Sequence, residues 1–101
     1  MTTFAGTWDV TLDTPIGKMA VVFEINESDG VITGVARSDA ETVDFHDTSA
    51  EGNRLTWDQA VTTPMRLTLK FDVVVDGDTM TGTSKAGVLT SKVNGSRVAT
   101  N

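Results

Sequence analysis

Gln59, Ser84, Ser91 and Arg97 are the polar residues that fall on the apolar parity of otherwise alternating stretches, so they are the groups with which a buried site would do chemistry. An amide and a hydroxyl donate hydrogen bonds to an oxygen on a small molecule, and a guanidinium adds positive charge. Gln59 stands where the first half of the chain has Val10, and a buried amide without partners costs ~1–3 kcal/mol. It is therefore expected to meet the backbone, Ser84, water or a ligand. Trp57, Met65 and Phe71 share its parity, and the candidate ligand-binding set is Trp57, Gln59, Met65, Phe71, Ser84 and Arg97. Trp57, Met65 and Phe71 read first as core, since large apolar side chains on the inner parity of strands normally pack there.

Other chemistries find little support. His46, the one histidine, lies in Asp44-Phe45-His46-Asp47. With Val43 and Phe45 turned inward it faces solvent, although a bulge or register slip would bring it in. A single histidine among scattered aspartates has no metal-ligand spacing, so no metal is expected. No Gly-rich phosphate loop, nucleophile elbow or Ser, His and Asp triad is present, so no cofactor is expected and no catalytic residue is assigned.

The elements that would position these side chains are strands. In FAGTWDVTLDT the residues Phe4, Trp8, Val10 and Leu12 share one face, and in MRLTLKFDVVV the residues Met65, Leu67, Leu69, Phe71, Val73 and Val75 do the same. That period of two belongs to half-buried strands. Turn signals at Pro15-Ile16-Gly17, Ser28-Asp29-Gly30, Ser38-Asp39-Ala40, Glu51-Gly52-Asn53, Thr63-Pro64, Asp76-Gly77-Asp78 and Ala86-Gly87 predict eight strands, near 4–14, 18–27, 31–38, 41–49, 53–62, 65–75, 79–86 and 88–99. Asn94-Gly95 reads as a bulge or as a turn into a short further strand.

TWDVTLDTP at Thr7–Pro15 returns as TWDQAVTTP at Thr56–Pro64, and Thr33-Gly34 returns as Thr81-Gly82. This predicts two four-strand halves, about 4–50 and 53–99, within a single domain. Four strands with one apolar face cannot bury it alone, whereas two halves rolled together can. Short sequential connections favour an eight-stranded antiparallel up-and-down β-barrel over a Greek-key sandwich. The inner parity also carries Met19, Val21, Phe23, Ile25, Val61, Met80 and the small residues Gly34, Ala36, Gly82, Ser84 and Ala86. Small residues either leave room in a barrel of this width or let large neighbours cross it.

Eight Lys and Arg against fourteen Asp and Glu give a formal charge of −6. Such a surface repels phosphate backbones and anionic lipid, so neither nucleic acid nor membrane is an expected partner. Arg37, Arg54 and Arg66 fall on the outer parity, solvated or paired with acids. The absence of cysteine removes disulfides and thiol chemistry, and MTTFAGTWDV has no basic stretch followed by an apolar run. A soluble cytoplasmic protein is expected.

Gly6-Thr7-Trp8 at the start of the first strand, with Arg97 near the end of the last, resembles the pattern of the calycins: lipocalins, fatty-acid-binding proteins and avidins. The resemblance implies a small barrel in which Trp8 plugs one end under the Arg97 guanidinium. The departures are specific. With two Trp and no Tyr, the avidin biotin site is not implied. The helix of lipocalins and the helical lid of fatty-acid-binding proteins have no counterpart in the pattern. The phrases TWD, TPM, DGDT and TGT also resemble a family of small bacterial domains, which adds no activity.

These readings converge on the binding of a small hydrophobic or amphipathic molecule in the barrel lumen, which calls for a continuous lumen. One alternative is a cofactor-independent cyclase or isomerase in which Gln59, Arg97 or an inward His46 polarises the substrate. Another is a homo-oligomer assembled through the outer strand face around Val22, Val35 and Val74.

Overall fold

The computed structural model describes residues 4–14, 17–39, 41–61 and 67–98, with only the backbone of Val61. The strands are β1 (Gly6–Thr14), β2 (Gly17–Ser28), β3 (Val31–Arg37), β4 (Thr42–Asp44), β5 (His46–Glu51), β6 (Arg54–Val61), β7 (Leu67–Asp76), β8 (Thr79–Ala86) and β9 (Leu89–Arg97). They form one antiparallel sheet in the order β4-β3-β2-β1-β9-β8-β7-β6-β5. Every ladder joins chain neighbours except β1 with β9, which brings the two ends of the chain together through Trp8↔Arg97, Val10↔Gly95 and Leu12↔Val93. The result is an up-and-down, nearly closed β-barrel. Hairpin tips have the backbone that their residues permit: Asp29 and Gly30 both take positive φ, 52° and 79°, as a two-residue hairpin turn matched to strand twist requires.

The strand count corrects the expectation of eight. The segment expected as one strand over 41–49 is two, because it changes partner at Phe45. β4 pairs with β3 through Val35↔Asp44 and Arg37↔Thr42, whereas β5 pairs with β6 through His46↔Asp58 and Glu51↔Arg54. At the step, Phe45 N donates to Gly34 O at 2.9 Å. The Phe45 ring turns inward over Gly34, where an added Cβ would lie 2.7 Å from a ring carbon, so the glycine is what lets the ring cross. Beyond it, Asp47 at φ 53° and a register shift between His46 and Ser49 keep β5 on β6. The two ends of the sheet are thus consecutive in the chain.

Two further expectations give way. Asn94-Gly95 is neither bulge nor turn, since β9 runs through it in unbroken register with β1 and β8. A Cβ on Gly95 would sit 3.0 Å from Val10 Cγ2 and 3.3 Å from Asp9 O, so the glycine serves close packing there. Met19 and Leu67 keep the inner parity but are 44% and 37% exposed, because they lie near strand ends at one end of the barrel, past the packed layer.

The middle of the barrel is a stack of rings. Trp57 lies between Phe45, with centroids 4.3 Å apart and planes 12° apart, and Phe71, at 4.9 Å and 2°. Phe23 meets all three edge-on at 5.3–5.6 Å. Such pairs add roughly 0.5–1.5 kcal/mol each beyond area burial. Leu55, Val73, Met80 and Val93 pack around them, buried. The continuous lumen that the sequence reading called for is therefore interrupted by side chains.

Candidate functional site

An up-and-down meander sends alternate connections to opposite ends, so strand position assigns each side chain to an end. One end carries the β2–β3, β5–β6 and β7–β8 turns together with the start of β1 and the finish of β9. Trp8 sits here, fully buried, and its Nε1 donates to Phe4 O at 2.9 Å. The Arg97 guanidinium carbon lies 4.5 Å from the centroid of the Trp8 ring, a cation–π arrangement worth ~0.5–2 kcal/mol. Arg97 Nε is 3.6 Å from Asp78 Oδ1, and the Arg97 backbone N donates to Asp78 O. This end is plugged, and Arg97 is part of the plug.

The opposite end carries the β8–β9 turn and the finishes of β1, β3 and β6. Its inner parity holds Gln59, two residues from the end of β6, and Ser84, two residues from the end of β8. Both are buried at 4% exposure, the only polar side chains so buried among the described residues. The ladders Trp57↔Phe71, Phe71↔Ser84 and Ser84↔Ser91 place these residues in one row across four strands, and Gln59↔Leu69 forms the next row outward. Around them the exposed apolar residues Met19, Leu67 and Leu89 mark the same end.

Gln59 has a partner that sequence reasoning missed. Trp57 Nε1 donates to Gln59 Oε1 at 2.8 Å. Residues two apart on a strand share a face, and an indole N–H needs an acceptor when buried, so the pair Trp57-x-Gln59 carried the signal. Neither the amide nitrogen of Gln59 nor the Ser84 hydroxyl has a hydrogen-bond partner among the described residues. Of the sequence-derived set, the structure brings together Trp57, Gln59, Phe71 and Ser84, and it places Arg97 at the other end. Met65 lies outside the described residues.

The remaining polar chemistry is on the outer surface. His46 is exposed and paired in register with Asp58; the bulge follows it without turning it inward. Arg54 grips Asp72 with two hydrogen bonds, Nε to Oδ1 at 2.8 Å and Nη2 to Oδ2 at 2.5 Å. These bonds hold the Asp72 carboxyl below its usual range and raise Arg54 further. Arg37 pairs with Glu24, and Arg66 lies outside the described residues. Two shallow grooves, of about 410 and 330 Å³, lie between strands on this outer surface, one along Asp9, Thr11, Val22 and Arg37, the other along Asp58, Lys70, Asp72 and Lys85.

A nearly closed antiparallel meander with a first-strand Trp under a last-strand Arg defines a calycin-like barrel. Among solved structures, the Schistosoma mansoni fatty acid binding protein in complex with arachidonic acid is similar over 98% of this chain and 98% of its own, with a TM-score of 0.67 and 16% sequence identity. At that identity the likeness is one of fold. No protein-family model and no curated protein matches the sequence.

Proposed function

We propose that this barrel binds a small hydrophobic or amphipathic molecule at the end marked by Gln59 and Ser84. The observation that carries the reading is that Gln59 and Ser84, each 4% exposed, keep an amide nitrogen and a hydroxyl without hydrogen-bond partners among the described residues, at the solvent edge beneath the exposed Met19, Leu67 and Leu89. Hydrogen-bonding groups with spare capacity at one end of an apolar barrel are what a ligand oxygen would meet. The apolar part of the ligand would rest on Leu69 and among Met19, Leu67 and Leu89, above the buried Trp57–Phe71 stack. Likeness in fold to a protein solved with arachidonic acid supports the same reading. With the middle filled by rings, the ligand is expected to occupy one end and not to thread the barrel.

Thermal unfolding with and without a panel of apolar dyes, long-chain alcohols, fatty acids and polycyclic compounds tests this. A site-specific ligand at a hundredfold excess over its Kd stabilises by ~2.7 kcal/mol, and the increment should disappear in Phe71→Ala, measured against that variant's own ligand-free curve. A wild-type protein that no member of the panel stabilises contradicts the proposal.

The same spare donors support a second reading, a cofactor-independent isomerase or cyclase in which Gln59 and Ser84 polarise a carbonyl. No titratable side chain stands in either of their rows among the described residues, so such an enzyme would act by orientation and hydrogen bonding alone. Product formation from a bound carbonyl compound separates the two.

A further inference from the structure

We infer that this end of the barrel selects ligands whose head group is an uncharged oxygen, such as an alcohol, aldehyde or ketone, over carboxylates. The inference rests on the binding site proposed above.

The donors and acceptors on the inner face define the head group. Gln59 Oε1 is occupied by the Trp57 indole, which leaves its amide N–H groups to donate. The Ser84 hydroxyl both donates and accepts. A ligand hydroxyl can accept from Gln59 or exchange a hydrogen bond with Ser84, and a carbonyl oxygen can accept from either. A carboxylate can accept from either as well, but it brings a full charge into a layer where Gln59 and Ser84 are each 4% exposed. Burying a charge is unfavourable unless a counter-charge meets it.

No counter-charge faces that layer among the described residues. Lys18 stands opposite Asp13, Lys92 opposite Asp13 and Thr83, and Lys85 opposite Lys70 and Thr90, all on the parity that faces away from Leu12, Ser84 and Val93. All four lysines are exposed. Arg97, the cation on the inner parity, lies over Trp8 at the plugged end. His46 is outside, opposite Asp58. The formal charge of −6 adds a field that disfavours an incoming anion.

The test uses a matched pair of chains on the whole protein, 1-dodecanol and dodecanoate at pH 8, each below its aggregation limit, in competition with a bound apolar dye. The alcohol is expected to bind at least tenfold more tightly, about 1.4 kcal/mol. Ser84→Ala removes a hydroxyl that has no hydrogen-bond partner among the described residues, so this variant should fold normally and bind the alcohol more weakly. Leu69→Arg, which sets a counter-charge opposite Gln59, should bring the ratio to about one or reverse it. Dodecanoate binding as tightly as the alcohol, or more so, overturns the selectivity and leaves the binding site standing. Displacement of the dye by neither compound overturns both. Alcohol binding unchanged in Ser84→Ala overturns the assignment of the head group to Ser84, and a tenfold ratio that persists in Leu69→Arg overturns charge burial as its cause.

Discussion

At the scale of single residues, the Trp57–Gln59 hydrogen bond explains why an amide replaces the Val10 of the first half. Gln59→Leu leaves the indole N–H buried without an acceptor and is expected to destabilise by ~1–3 kcal/mol in urea denaturation. In a Trp57→Phe background the same change should be close to neutral, because both polar partners are then gone; equal costs in the two backgrounds would mean that the bond contributes nothing. On the outer surface, the Asp72 carboxyl is held below its usual range, first by the hydrogen bonds from Arg54. A lowered folded-state value means that the stabilisation is complete above the ordinary aspartate range, near pH 4, and is lost as pH falls through the folded value. Asp72→Asn should therefore lower stability slightly at neutral pH, leave it unchanged in strong acid and flatten the acid limb by that same small amount, since the pair is exposed to solvent. Residue parity made Gln59, Ser84, Trp57 and Phe71 legible as inward-facing. It did not reveal which partner Gln59 meets, because alternation fixes a face and says nothing of rotamers.

At the scale of elements, the small residues on β3 and β8 do different jobs. Gly34 makes room for the Phe45 ring, whereas a Cβ on Gly82 would fall 2.0 Å from Asp72 O and 2.7 Å from Val73 Cα, a clash with backbone and not with a movable side chain. Gly82→Ala must therefore push β7 and β8 apart, and it is expected to destabilise by ~1–3 kcal/mol, the scale of overpacking, in chemical denaturation. An unchanged midpoint would show that the two strands are less tightly apposed than described. The same elements show why eight strands were read where nine stand. Val43 and Phe45 both keep the inner parity, so hydrophobic alternation continues straight through a point where the hydrogen-bonding partner changes from β3 to β6. The period reports burial, and partner choice depends on the distant Gly34. Asn94-Gly95 misled for a related reason: the dipeptide is a strong local turn signal, but packing against Val10 and pairing with Thr11 and Val10 decide its conformation.

At the scale of the molecule, the barrel is asymmetric. One end is plugged by Phe4, Trp8 and Arg97, the middle is filled by Phe23, Phe45, Trp57 and Phe71, and the other end holds Gln59 and Ser84 with hydrogen-bonding capacity to spare. The sequence carried the architecture well, because turn spacing and two-residue alternation are properties of the whole chain, and the Trp8 and Arg97 pair named the plugged end. It carried the division of the interior poorly. Parity turned Arg97 and Gln59 to the same side of the sheet, and only strand direction and closure show that they lie at opposite ends. This asymmetry gives two reporters, since each end or layer has its own indole. Titration of isotopically labelled protein with 1-dodecanol, followed by the indole and side-chain amide signals, tests the central claim most directly. Binding at the Gln59 end should move the Gln59 amide pair and the Trp57 indole and leave the Trp8 indole unmoved. Equal movement of both indoles, or shifts confined to the outer groove along Asp9 and Arg37, would contradict it.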